Sequence, residues 1–519
     1  MLEKYLNSRF LILYLTPFVI GSLTVLSFHP FNITIINFII FPLFFYLIIY
    51  IHKKSKSVYR KKAFRKNFFI FGLLFGFGFY FSGISWITNS LTFDDNFKII
   101  IPFALILIPI FLSLFIAIPI LVIGPYLNFN LSSLLIFSGI LSFSDYIRAK
   151  ILTGFPWNLW AYSTVWLNEI IQIVNIIGLY SYNLVLITIF TLPAAIFFKI
   201  TTTKKILYFI FISSVILSLY IFGSYEKNKN KKQLDTINEK VFIKIISPNF
   251  DLKYGLTKKQ IEGRFNKLIR YSNPTQDKKT IFIWPEGVFS GYSYKEVLNF
   301  KKLITKNFSP EHTIIFGTNQ LDPKSGNFFN SMLVVDNNFK IIQSYNKRKL
   351  VPFGEFLPFE NFLNNFGFKK ITEGHGSFIM GDKSNNLSIE KINFLPLICY
   401  EVIFTDLIQQ SSPDTNLIIN ISEDGWFGSS IGPEQHFAKS IFRAIESNTF
   451  FLRSANKGIS AVIDNKGNII KQLNRNEAGN IEFEIPLIKS NKIKNDLIFF
   501  ILLITYLLIF LIYKKKNEK

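Results

Sequence analysis

A multi-pass α-helical membrane domain joined to an extramembrane α/β domain is the architecture that this sequence of 519 residues predicts. Three observations carry that expectation. Half of the residues are hydrophobic. The first 225 positions hold several apolar stretches about as long as a helix that crosses a bilayer. Beyond residue 240, short β-rich runs begin to alternate with charged, helix-like segments.

A formal net charge of +23 would by itself point to nucleic acid. Positive mean hydropathy beside that charge points to a lipid bilayer instead, and no nucleic-acid partner is expected. A hydrocarbon core takes about 20 apolar residues as a helix. Such stretches fall at 10–28, 33–51, 67–87, 99–123, 131–148, 170–198 and 206–224, with an eighth at 497–513. The fifth is the weakest, because Ser142, Ser144 and Asp145 interrupt it. The first has the basic flank of a secretory signal in Lys4 and Arg9. Its apolar run is long, however, no small-residue cleavage pattern follows and another span comes at once, so it reads as a retained helix. Gly72, Gly76 and Gly78 fall inside the third span, where glycines mark close helix packing.

Lysine and arginine in the short loops set the orientation. The loop from His52 to Lys66 holds Lys53, Lys54, Lys56, Arg60, Lys61, Lys62, Arg65 and Lys66, which predicts a cytoplasmic side. Lys199, Lys204 and Lys205 precede the seventh span, and Lys514, Lys515, Lys516 and Lys519 follow the eighth. Eight crossings put all of these with the N-terminus and put 226–496 on the other face, together with Asp94 and Asp95. In a bacterium that arrangement is an inner-membrane protein with a periplasmic catalytic domain and both termini cytoplasmic. Lys227, Lys229, Lys231 and Lys232 pull the other way, but long domains translocate largely regardless of charge. Gly154-Phe155-Pro156-Trp157-Asn158-Leu159-Trp160, between spans five and six, reads as an interfacial aromatic belt. The expected divisions are a seven-span domain over 1–225, a lysine- and asparagine-rich linker over 226–239, an extramembrane domain over 240–490, the eighth span and a basic tail over 514–519.

In the extramembrane domain, strands are expected over Val241–Ile246, Thr280–Trp284, Thr313–Gly317, Ser331–Val335, Phe394–Ile398, Leu417–Ile421 and Ile459–Ile463. Helices are expected over Lys258–Tyr271 and Glu434–Ser447.

Cys399 is the only cysteine and closes an apolar run in Pro396-Leu397-Ile398-Cys399. A lone thiol forms no intrachain disulfide. It serves in packing, in redox chemistry or as a nucleophile, and the last of these needs a base and a cation nearby. Two other apolar runs end on such groups, Glu286 after Ile281-Phe282-Ile283-Trp284-Pro285 and Lys347 after Ile341-Ile342-Gln343-Ser344-Tyr345-Asn346. Three strand ends thus deliver a carboxylate, an ammonium and a thiol. In that constellation Glu286 takes the thiol proton, Lys347 supplies positive charge, and the Tyr400 backbone N–H is a second donor for an oxyanion. Glu355 and Glu401 flank the set and read as orienting groups. Trp426 and Phe427, in a glycine-bounded loop, either pack in the core or line an acyl-binding mouth, and Trp284 is a third aromatic candidate for substrate contact. His29, His52, His312, His375 and His436 form no HxH or HxxxH pair, so no metal site is expected. No phosphate-binding glycine loop is present and no cofactor is expected.

The segments Trp284-Pro285-Glu286, Asn346-Lys347-Arg348-Lys349-Leu350-Val351-Pro352-Phe353-Gly354-Glu355 and Cys399-Tyr400-Glu401, in this order, resemble the Glu-Lys-Cys triad of the nitrilase superfamily. Joined to seven preceding spans, one following span and the Gly-Phe-Pro-Trp segment, they resemble the apolipoprotein N-acyltransferase family over the whole chain. That resemblance implies a nitrilase-like αββα sandwich. It also implies a phospholipid as acyl donor, a Cys399 thioester, and the α-amine of a diacylglyceryl-cysteine apolipoprotein as acceptor. Glu423, Ser247 and Tyr254 depart from the family pattern, where Asn, Gln and Trp are expected, and bear on substrate positioning. Two alternatives stand beside this reading. One is a membrane-anchored amidohydrolase that uses water as the acceptor. The other is a transporter or receptor, against which the scarcity of paired charges in the spans weighs.

Overall fold

A computed structural model describes residues 8–57, 63–358, 360, 377–382, 386–492 and 495–518. Lys4, Arg60, Lys61, Lys62, His375 and Lys519, which entered the charge and ligand readings, lie outside the described residues. The chain divides into two compact units. One comprises Met1–Thr88, Lys98–Glu226 and Asn495–Lys519, and the other Asn89–Phe97 and Lys227–Lys494.

In the first unit, six of the described helices are long and apolar enough to cross a membrane: Thr34–Lys54, Arg65–Thr92, Asp95–Tyr126, Leu179–Phe197, Thr202–Asp235 and Leu497–Lys516. The expected first span is a shorter apolar helix, Leu11–Ser27. The fifth is the helix Leu131–Lys150, opened by Asn130, whose side chain accepts from Ser133 N at 2.8 Å. Asp145 does not break this helix because its charge is matched: Arg148 donates to it at 2.8 Å and Asn183 at 3.1 Å. Two expectations need correction. The sixth span starts at Leu179 and not at 170, because Gly178, at φ 82°, separates it from the short helix Val174–Ile177. The segment 226–239 is helical as far as Asp235, as the continuation of Thr202–Asp235.

Close helix packing at the third-span glycines is observed. A Cβ on Gly72 would sit 2.8 Å from Ala117 Cα, and one on Gly76 would sit 2.6 Å from Ser113 Cβ. The expectation of an aromatic belt at Gly154–Trp160 fails, since Trp157 and Trp160 are buried, Trp157 tilted against Trp86 and Trp160 stacked on Phe79, each at 4.6 Å between centroids. Ring packing inside the bundle withdraws these indoles from the surface.

Among the described residues the second unit holds twelve strands: β1 (Lys240–Ser247), β2 (Thr280–Ile283), β3 (His312–Leu321), β4 (Phe328–Val335), β5 (Ile341–Asn346), β6 (Leu387–Ile389), β7 (Ile392–Ile398), β8 (Leu417–Glu423), β9 (Phe450–Asn456), β10 (Ser460–Ile463), β11 (Ile469–Leu473) and β12 (Gly479–Pro486). They form two six-stranded sheets, β12-β1-β2-β3-β4-β5 and β11-β10-β9-β8-β7-β6. Strands β1-β2-β3 run parallel in the first sheet and β7-β8-β9 in the second. Period-two alternation explains the layers. Ile243, Ile245, Ile281 and Ile283 point one way and meet Phe394, Ile398, Ile419 and Ile421 of the other sheet. Ile246, Phe282 and Trp284 point the other way, into a second core beneath the helix Lys258–Ser272. That helix opens on a capping box formed by Thr257 and Gln260. The helix Gly432–Ser447 is buried along most of its length. The result is the expected α/β sandwich.

Candidate active site

The residues singled out in the sequence gather where strands end. Lys347 follows β5 and Cys399 follows β7 directly, while Glu286 comes three residues after β2. Lys347 is 1% exposed, and its Nζ donates to Glu355 Oε1 at 2.8 Å and lies 3.7 Å from Glu286 Oε1. Burial would pull this ammonium down. The Glu355 and Glu286 carboxylates outweigh that and hold its pKa above the ordinary lysine value, so the site keeps a fixed positive charge.

Asn330, on β4, locks the two carboxylates together. Its Nδ2 donates to Glu286 Oε1 at 2.7 Å and to Glu355 Oε1 at 2.8 Å. The second oxygen of each carboxylate takes a backbone donor, Glu423 N at 3.0 Å for Glu286 and Val351 N at 2.8 Å for Glu355. Glu286 therefore receives one bond from each sheet.

Cys399 is half-buried and opens the turn Cys399–Ile403 with φ at +50°. A non-glycine residue in that region stores roughly 1–3 kcal/mol, which surrounding contacts must offset. Burial and the charge of Glu286 push its thiol pKa up, against the opposing pull of Lys347. The lysine expected to favour a thiolate is thus outweighed. The resting sulfur is a thiol, and a base must remove its proton when it attacks.

Glu401 is fully buried and receives Tyr345 Oη at 2.7 Å, Arg348 N at 2.7 Å, Lys349 N at 3.1 Å and Ile398 N at 2.8 Å. It ties the segment after β5, which carries Lys347, to the turn after β7, which carries Cys399. Glu355 and Glu401 are accordingly fixed by hydrogen bonds on both sides of Lys347. Tyr400 is buried, with its ring edge-on to Phe404 at 5.2 Å.

The aromatic candidates separate. Trp284 is fully buried among Phe265, Phe289, Phe308 and Phe316, with Nε1 bonded to Ser272 Oγ at 3.0 Å. It is a core residue. Its position, one step from Ile283, turns it to the helix-covered face of the sheet. Phe427 is also buried, against the His436 ring at 5.3 Å. Trp426 is only half-buried, with Phe93 edge-on at 5.2 Å and Tyr254 at 6.2 Å. Asn89 donates to Phe427 O at 2.6 Å, so the segment Asn89–Phe97 packs on this turn.

Glu423 turns its backbone N–H to Glu286, while its carboxyl accepts from Gly425 N at 2.8 Å and Asn456 Nδ2 at 2.7 Å. Burial pushes that carboxyl up to about 8. Ser247 donates to Glu477 O at 2.8 Å. Gly317, on β3, sits where a Cβ would lie 2.9 Å from Glu286 Cα and 3.0 Å from Ile421 Cδ1.

Asn330 and Arg453 went unread in the sequence, and Tyr345, Asp424 and His436 were given no role at the site. Asp424 Oδ2 pairs with Arg453 Nη2 at 2.8 Å, and burial, which would raise its pKa, is overcome by Arg453 and His436. Among the described residues, no group of His, Cys, Asp and Glu that could hold a metal is found.

Both halves of the chain match family models. Residues 257–494 match the carbon-nitrogen hydrolase model, and residues 20–192 match the apolipoprotein N-acyltransferase N-terminal domain. A carbon-nitrogen hydrolase from Helicobacter pylori is 16% identical, covering 48% of this chain and 89% of its own, with a TM-score of 0.36. The two family matches together describe an enzyme with a carbon-nitrogen hydrolase domain and an acyltransferase-type N-terminal membrane domain. The apolipoprotein N-acyltransferase of Rickettsia prowazekii is 33% identical over 425 residues, covering 80% of this chain and 83% of that one. That of Rhodopseudomonas palustris is 29% identical over 485 residues, covering 90% and 88%. The chain belongs to the apolipoprotein N-acyltransferase family, and it is a membrane-embedded acyltransferase.

Proposed function

We propose that this enzyme moves an acyl chain from a membrane phospholipid to Cys399, and from Cys399 to the α-amine of a diacylglyceryl-cysteine at the N-terminus of an apolipoprotein. The observation that carries the reading is the convergence of Glu286, Glu355 and Asn330 around the buried Lys347, in electrostatic contact with the raised Cys399 thiol. Glu286 takes the Cys399 proton as the sulfur attacks the ester carbonyl. Lys347 and the Tyr400 N–H stabilise the oxyanion. The C–O bond then breaks, and the lysophospholipid alcohol leaves with the proton that Glu286 held. In the second half-reaction the amine attacks the thioester and gives its proton to Glu286. The C–S bond breaks, and the sulfur recovers that proton as the N-acylated lipoprotein departs. Trp426 lines the mouth that receives the lipid. The catalytic domain, about 240–490, faces the periplasm, and both termini face the cytoplasm, as the loop lysines favour.

The two half-reactions provide the test. Enzyme given phospholipid alone is expected to accumulate as acyl-Cys399, read by intact mass, with about one lysophospholipid released per site. A diacylated lipopeptide with a free α-amine discharges it, and an N-acetylated copy does not. Continuous release of fatty acid without an amine acceptor would overturn the transferase reading in favour of an amidohydrolase.

A further inference from the structure

A cluster behind the nucleophile takes no part in those steps. On the helix Gly432–Ser447, His436 is fully buried, and its Nε2 lies 3.2 Å from the carbonyl oxygen of Cys399. A carbonyl only accepts, so Nε2 carries the proton and Nδ1 the lone pair. Burial and the neighbouring guanidinium lower the imidazole to about 4, which keeps it neutral. Nδ1 lies between two partners, Arg453 Nη2 at 3.0 Å, which can donate to it, and Asp424 Oδ1 at 3.1 Å, whose charge that guanidinium balances. The same Nη2 holds Asp424 at 2.8 and 3.0 Å, and Ser422 Oγ braces Asp424 at 2.6 Å. An ion pair is thus assembled around one imidazole, which presents one proton to one backbone oxygen.

That oxygen shares a planar trans peptide with the Tyr400 N–H, and the two point in opposite directions. Fixing the carbonyl therefore fixes the direction of the N–H. On the other side of Cys399, the Ile398 N–H is held by Glu401 at 2.8 Å. Between these two anchors the residue keeps its φ of +50°.

We propose that His436, locked by Asp424 and Arg453, is a positioning residue that orients the Cys399–Tyr400 peptide, so that the Tyr400 N–H faces the negative charge developing on the substrate carbonyl. The inference rests on the acyl-enzyme chemistry above and assigns a role to groups which that chemistry does not touch.

His436→Gln keeps an N–H near the place of Nε2, whereas His436→Asn puts its amide near Nδ1 and leaves the carbonyl without a donor. Two rates are measured on the full-length enzyme in phospholipid-containing micelles. Alkylation of Cys399 by iodoacetamide needs a reactive thiol but no oxyanion donor. Acyl-Cys399 formation from phospholipid, followed by intact mass, needs both. His436→Asn is expected to slow acylation about 10- to 100-fold while alkylation stays within a few-fold, and His436→Gln is expected to recover most of the loss. Equal loss in both rates, or acylation unchanged in His436→Asn, would overturn the proposal. Should His436→Asn fail to fold, His436→Gln decides alone: acylation near the wild-type rate supports the role, and a 100-fold loss with normal alkylation removes it. Wild-type enzyme that forms no acyl-Cys399 would remove the proposed chemistry and this inference together. Normal wild-type acylation with an unaffected His436→Asn variant removes only the inference.

Discussion

Replacing Glu423 with Gln should change how stability responds to pH. Glu423 is 3% exposed, and its carboxyl pKa is pushed from 4.5 to about 8, first by burial and then by the charges of Glu286 and Asp424, against the pull of Asn456 and Gly425. The folded protein therefore holds this proton more tightly than the unfolded chain does. The stability it contributes is fully present below pH 4.5 and is lost progressively as the pH rises to about 8. At about 1.4 kcal/mol per tenfold change in proton affinity, the loss across that window is at most on the order of 5 kcal/mol. Glutamine never ionises, but it offers an amide where one of the two donors, Gly425 N or Asn456 Nδ2, now points at an oxygen, a mismatch of about 1 kcal/mol. Glu423→Gln should accordingly be slightly less stable than the wild type near pH 5 and clearly more stable near pH 9. For a domain of this size each kcal/mol moves Tm by roughly 2–4 °C, so the difference between the two proteins should swing by several degrees and change sign. Tryptophan fluorescence during thermal unfolding in micelles, repeated from pH 5 to pH 9, reads this directly. Two Tm curves that run parallel across the range would show that Glu423 is ionised throughout and would refute the reasoning.

Other perturbations test the site and the orientation. Asn330→Leu removes the amide that links Glu286 to Glu355, and single-turnover acylation should fall about 10- to 100-fold; a rate within twofold of wild type would mean that the carboxylates need no such link. Cys399→Ala should form no acyl-enzyme and Cys399→Ser at most a trace, since a hydroxyl is far less acidic than a thiol, with normal turnover in the alanine variant as the contrary result. Reporter fusions after Tyr225 and at Lys519 should mark opposite compartments, and the same compartment for both would break the eight-span orientation.

The candidate triad was legible because each member ends an apolar run, a local pattern that needs no knowledge of which strands pair. The strands around it were legible for the same reason. Strands β6, β9, β11 and β12 were not. Phe450 follows a helix with only the left-handed Asn448 as a stop signal, and β11 is almost wholly exposed, so it lacks the apolar alternation by which a strand is recognised. The burial of Trp284 was available in principle from its parity with Ile283. Asn330 and Arg453 were beyond reach, because a buried arginine on a strand looks like a surface residue until its partners, some 17 to 33 positions away in the chain, are brought beside it. In the membrane unit, the break at Gly178 was hidden by the apolar pairs Ile176-Ile177 and Leu179-Tyr180 on either side.

Gly317 marks the place where the base-bearing turn of one sheet comes within a methyl group's breadth of Ile421 on the other. Glu286 and Lys347 follow strands of the first sheet and Cys399 a strand of the second, so in the proposed reaction the distance across which a proton jumps is also the gap between two packed layers. A protein domain can absorb a small void between its layers at modest thermodynamic expense, but proton transfer tolerates far less slack. A lineage whose inter-sheet residues drift would lose turnover while its polypeptide still folded. Selection for catalysis, more than selection for foldedness, should then govern how freely Ile283, Ile421 and their neighbours can be exchanged over evolutionary time.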